Sequence, residues 1–106
     1  ENAAKVGALA LERLEAMRSK VPEIGDVRGR GLLIGVDLVT DRATKAPAKD
    51  LAEATMYSAL DRGLSFKTTM GNVLTLTPPL TISGAEMGRA LDIIEESIGA
   101  ARQSLG

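Results

Sequence analysis

The chain has 106 residues, with 13 Lys and Arg against 14 Asp and Glu for a net charge of −1, and 44% of it is apolar. That balance supplies no basic field for nucleic acid or an anionic membrane, and the length suits one domain. Without cysteine or histidine there are no disulfides, thiolate or imidazole metal sites, and no Ser-His or Cys-His catalysis. Tyr57 and Phe66 are the only aromatic residues, so a base-stacking platform is excluded too. No apolar run reaches the roughly 18 residues of a membrane span, and no export signal opens the chain, so the cytoplasm is the expected compartment.

The spacing of Val6, Ala10, Leu14 and Met17 predicts a helix over 3–18, ended by Pro22. No initiator Met precedes it and the helical pattern is running within a few residues of the start, which reads as a chain cut from a longer one. The glycine-rich stretch 25–31 reads as a tight approach to a strand over 32–39. In that strand Leu32, Ile34, Val36 and Leu38 share one face, and Leu33, Gly35, Asp37 and Val39 share a partly wet one. Residues 40–49 read as a polar loop. A second helix over 51–62 has a capping box in Asp50 and Glu53, a stripe of Ala52, Met56, Ala59 and Leu60, and Gly63 beyond its end. Two short strands follow, 64–67 and 73–77, the second closed by Pro78-Pro79. Ser83 and Glu86 form a capping box for a last helix striped by Met87, Ala90, Leu91, Ile94, Ile98 and Ala101. The predicted fold is α+β: a small three-stranded, mostly antiparallel sheet with helices packed on one face.

The candidate chemistry is thin. Gly29-Arg30-Gly31 with Gly35 invites a dinucleotide-loop reading, but the spacing is one residue too long and the glycines lead into a strand, not out of one, so structural turn glycines are favoured. Arg28 and Arg30 suit an anion clamp, against the plainer reading of a surface ion pair with Asp26. Asp37 is the one acid inside an apolar strand, and Glu95 and Glu96 point in different directions; no catalytic carboxylate pair assembles. Lys67, beside Phe66, reads as an amine nucleophile toward an aldehyde, as a charge for a substrate carboxylate, or as a solvated strand-end lysine, the last being favoured.

Two runs resemble a known family. Residues 27–39, Val-Arg-Gly-Arg-Gly-Leu-Leu-Ile-Gly-Val-Asp-Leu-Val, resemble the RGxGLLxGxE strand that opens the small C-terminal domain of class III (ω-) aminotransferases. Residues 73–83, with Pro78-Pro79-Leu80, resemble that family's PPL strand and the cap of its last helix. Arg42 to Pro47 and Asp61 to Leu64 also stand in the family's order, and the flavour is that of the 4-aminobutyrate aminotransferase and dialkylglycine decarboxylase branch.

The resemblance implies the C-terminal lobe of a fold-type I enzyme dependent on pyridoxal 5'-phosphate, whose large cofactor-binding domain lies upstream. It implies a homodimeric parent that moves an amino group between an amine or amino acid and a 2-oxo acid. The family's cofactor lysine, pyridine-nitrogen aspartate and phosphate ligands belong to that large domain or a partner subunit, so no catalytic, cofactor-binding or metal residue is carried onto this sequence. One departure stands out. Several branches carry a carboxylate-clamping arginine three residues before the first proline of the pair, where this chain has Thr75. A threonine cannot make a bidentate charged pair, so another cation substitutes or the substrate has no carboxylate there. Lys67 is the nearest substitute by sequence, then Arg28, and Thr75 with residues 67–72 is the expected substrate wall. Three rivals remain: a lyase or decarboxylase on the same scaffold, a free-standing α+β regulatory or interaction module, and a small independent enzyme using Lys67.

Overall fold

The computed structural model describes residues 2–105. Helix α1 (Asn2–Lys20) is followed by strands β1 (Ile24–Arg30), β2 (Leu33–Asp41) and β3 (Ala46–Pro47). Then come α2 (Lys49–Asp61), β4 (Lys67–Thr69), β5 (Val73–Leu76) and α3 (Gly84–Leu105). The sheet has five strands in the order β1-β2-β5-β4, with β3 paired to β2, and every pairing is antiparallel. The α+β fold with helices on one face therefore stands, and the expected three strands become five.

Both extra strands lie where composition argued against them. β1 contains two glycines or arginines for each apolar residue that it buries, and it forms because Val27, Gly29 and Arg30 find register partners in Val36, Ile34 and Leu33. Most of the glycine-rich stretch is β1 itself, and its last glycine, Gly31 at φ +58°, starts the turn of this β1–β2 hairpin, which is the structural reading favoured over a phosphate loop. β3 is two residues long, held by Val39 opposite Pro47 and Asp41 opposite Ala46.

One face of the sheet is dry. Ile24, Val27, Ile34, Val36, Leu38, Leu74 and Leu76 meet the apolar stripes of α1 and α3 and the start of α2 in a single core. The four stripe residues expected of α1, Val6, Ala10, Leu14 and Met17, are all buried in it. Arg42 joins the hairpin to the end of α1, its guanidinium donating to the carbonyls of Arg18, Val21 and Ile24. Of these, the Arg18 carbonyl is one that a helix end leaves without an intrahelical partner.

The second helix departs from expectation at its start. It begins at Lys49 with Ala48 as N-cap and no side-chain cap, so the Asp50–Glu53 capping box does not form. The Ala48 N–H is instead held by the Leu38 carbonyl at 2.9 Å, which pins the helix start to β2. Its buried face is accordingly Leu51, Ala52, Thr55 and Ala59, and Leu60 is exposed. The other end is as expected: Gly63 at φ +92° donates to Leu60, and Leu64 donates to Ala59, the double closure of a Schellman motif. Leu64 is thus spent on ending the helix, and β4 starts at Lys67, not at residue 64. Further pairing toward residue 64 would also set Pro78, which has no N–H, against it.

Helix α3 carries its predicted capping box: the Ser83 N–H donates to Glu86 Oε1 at 2.9 Å and the Glu86 N–H to Ser83 Oγ at 3.0 Å. The bonds to Ser83 hold the Glu86 carboxyl below its ordinary pKa. A depressed pKa contributes stability above the ordinary glutamate range that is lost as pH falls through the lowered value. Fraying of the first turn of α3 in acid, followed by amide exchange, is the expected result, and Ser83→Ala should cost about 1 kcal/mol at neutral pH.

Thr55 on α2 and Ser97 on α3 are fully buried, and neither hydroxyl has a hydrogen-bond partner among the described residues. An unpaired buried hydroxyl costs roughly 1–3 kcal/mol. Thr55→Val, which keeps the branched shape, is expected to raise stability by about 1 kcal/mol in urea unfolding. A decrease would mean that the hydroxyl has a partner after all.

Candidate functional site

The opposite face of the sheet is polar, and its geometry follows from register. Arg28 of β1 lies opposite Gly35 of β2, Gly35 opposite Thr75 of β5, and Thr75 opposite Lys67 of β4. Paired residues of an antiparallel sheet share a face, so Arg28, Gly35, Thr75 and Lys67 form one row across four strands. The neighbouring row runs Asp26, Asp37, Val73 and Thr69 by the same pairings. The three candidates from three separate stretches of sequence are thus brought into line.

Gly35 leaves a gap in the row. It floors an open depression of about 380 Å³ bordered by Arg28, Arg30, Leu33, Thr69 and Thr75. A Cβ at Gly35 would touch only Val73 Cγ1 at 3.5 Å and Arg28 Nη2 at 3.6 Å, so what the glycine provides is space above the sheet.

Arg28 is committed internally. Its Nη1 lies 2.8 Å from Asp37 Oδ1 and 3.4 Å from Asp26 Oδ2. Contact with Asp37 above all, and the charge of both carboxylates, raise its pKa above the ordinary arginine value. This is the ion-pair reading of the arginine doublet, with Asp37 joining Asp26. Asp37 sits half-buried on the partly wet face, as its alternation in β2 requires.

Thr75 is half-buried, and its Oγ1 lies 3.1 Å from Oγ1 of Thr69. Lys67 is exposed and has no carboxylate partner among the described residues. Its stem borders a second groove of about 410 Å³, shared with Phe66, Leu76, Pro78 and Met87. The Thr69–Thr75 contact was hidden in the sequence because 68–72 reads as a loop. The available signal was the hairpin turn at its centre, where Met70 and Gly71 both take positive φ.

Among the described residues no group of three His, Cys, Asp or Glu would hold a metal, and no helix is long and apolar enough to cross a membrane.

Fold and surface together define an α+β lobe with one sheet face sealed by helices and the other polar and open. The sequence matches the family model described as Aminotransferase class-III over residues 1–98, and the chain belongs to that family, whose members depend on pyridoxal phosphate. Among curated relatives it is 52% identical to the (R)-1-hydroxy-2-aminoethylphosphonate ammonia-lyase of Vibrio splendidus, over 86% of this chain and 19% of that protein. It is 36% identical to the taurine–pyruvate aminotransferase of Bilophila wadsworthia, over 100% of this chain and 25% of that one. Among solved structures it superposes on a Bacillus anthracis aminotransferase with a TM-score of 0.87 at 36% identity, covering 94% of this chain and 24% of that one. The chain therefore spans about a fifth to a quarter of the length of the proteins it matches.

The residues present do not make a cradle for the family's cofactor. Asp26 and Asp37 are both taken up by Arg28, and the N-terminus of α3 is closed by the Glu86 carboxylate, which would repel a phosphate. Lys67 is exposed at the sheet edge.

Proposed function

We propose that this chain is the C-terminal small domain of a pyridoxal-phosphate-dependent transaminase, which moves an amino group between an amine or amino acid and a 2-oxo acid. The match to the class III family across residues 1–98 carries this reading. The cofactor, which supplies the carbanion chemistry when bound, is held by a large domain outside this chain, and the whole enzyme is a cytoplasmic homodimer. The lobe's share is to wall the substrate site with its polar sheet face, exclude water and orient the substrate. Thr75 and Lys67 are the substrate-contacting residues, and the 106-residue chain alone is inactive.

A second reading is elimination of ammonia on the same scaffold, favoured by the 52% identity to a protein named as an ammonia-lyase. Both readings are tested on the full-length protein loaded with pyridoxal phosphate, given an amine donor and pyruvate. Alanine formed without free ammonia supports transfer; ammonia released without alanine supports elimination; neither product sinks both. The chain by itself, treated with pyridoxal phosphate and borohydride, should show no stoichiometric adduct by intact mass. One specific adduct on Lys67 would overturn the division of labour.

A further inference from the structure

We propose that the apolar groove beside Pro78-Pro79 is the seat of the polypeptide segment that runs into α1 at Asn2. This rests on the reading of the chain as the C-terminal lobe of a longer enzyme.

The groove, of about 410 Å³, is a gap in the helix layer and not a part of the polar sheet face. Along β5, Thr75 faces the polar side, whereas Leu74 and Leu76 are buried on the helix side. Leu76 and the fully buried Met87 of α3 floor the groove, and Phe66, Pro79 and Ile82 flank it. Phe66 and Ile82 are only partly buried against the core, and Leu80, two residues before Ile82, is 71% exposed. Surface of this kind is stabilised when other apolar groups cover it. Lys67 is the one charged residue on its border, so the charged groups of an amino acid or a 2-oxo acid find little to hold them here.

The point where the chain enters names the occupant. Asn2 is the first residue of α1, and its side-chain amide donates to the carbonyls of Leu80 and Ile82, each at 2.9 Å. Both acceptors belong to the turn after β5, which the Ile82 N–H closes on the Pro79 carbonyl at 3.0 Å. Two bonds from one amide use both of its hydrogens, so the entry point is fastened to the wall of the groove. The segment leading into Asn2 therefore arrives at the groove's rim. Extended chain spans about 3.3–3.6 Å per residue, so about ten residues cross the groove with length to spare. That length is available, since the chain covers only 19% and 25% of the two curated relatives described above. Tethering at the rim also gives this segment an effective concentration that a separate molecule does not reach. It is expected to turn apolar side chains toward Phe66, Pro79 and Ile82.

The test uses the full-length protein with Ser65→p-benzoylphenylalanine, an exposed position on the groove's border, irradiated and digested for peptide mass spectrometry. The expected cross-link joins position 65 to a residue within about ten positions before Asn2 of the same polypeptide. A cross-link to a second copy, to a distant part of the chain, or none at all overturns the proposal. Leu80→Ser gives an independent reading. It should lower the thermal midpoint of the full-length protein by about 2 °C or more, because the covering segment packs there. Leu60→Ser, at a comparable 56% exposure on α2, should leave the midpoint unchanged. Equal shifts overturn the proposal. An active transaminase without the cross-link defeats the groove assignment alone. The cross-link in a protein that neither transfers an amino group nor releases ammonia defeats the enzymatic reading alone.

Discussion

Gly7→Ala is expected to destabilise the protein by about 3 kcal/mol, the upper end of the usual range for overpacking. A Cβ on Gly7 would lie 2.0 Å from the carbonyl oxygen of Gly31 and 2.8 Å from its carbon. The obstructing atoms are backbone, in a hairpin turn where Gly31 already holds φ +58°, so no rotamer change relieves the clash. Either α1 lifts from the sheet or the turn opens, and the turn sets the register that puts Arg28 opposite Gly35. Gly99→Ala is the internal control. Nothing lies within 4 Å of its added methyl on α3, so it should be neutral or stabilising by up to about 1 kcal/mol. Urea midpoints of the two variants read the difference; equal midpoints would mean that α1 does not approach the hairpin this closely.

Leu74→Ala should cost more, about 2–5 kcal/mol, because it removes a fully buried side chain from the middle of the core. Its consequence reaches the polar face. Leu74 points into the core between Val73 and Thr75, opposite Val36 on one side and Thr68 on the other, so its burial forces Thr75 outward. The variant is expected to lower kcat/KM of the full-length enzyme along with stability, whereas Thr75→Val should lower kcat/KM and change stability by no more than about 0.5 kcal/mol. Loss of stability with unchanged kcat/KM would separate the strand's register from the site.

Much of the fold was legible because its signals are local. The stripe of α1, the Ser83–Glu86 box of α3 and the closure of α2 at Gly63 each depend on residues within about one helical turn of one another, and each is where its spacing puts it. The alternation of β2 likewise separated its buried face from the face that carries Gly35 and Asp37. Family membership was also readable, since the motif runs are contiguous stretches.

The misses share one cause: partners distant in sequence outweighed local preference. β1 is poor in strand formers and exists because β2 pairs with it. Asp50 and Glu53 are spaced as a cap, yet the Leu38 carbonyl fixes Ala48 and starts the helix without them. The candidate site depends on the same kind of contact. The sequence alone determined the residue types available to it: a threonine where an arginine was expected, a lysine at position 67 and a pair of arginines near an aspartate. Only the tertiary structure decided that Arg28 is spent on Asp37 and Asp26, that Thr69 bonds Thr75, and that Lys67 stands across from Thr75. Those relations are set by strand register, and register is fixed by which side chains the core buries, a choice no single stretch of the chain makes by itself.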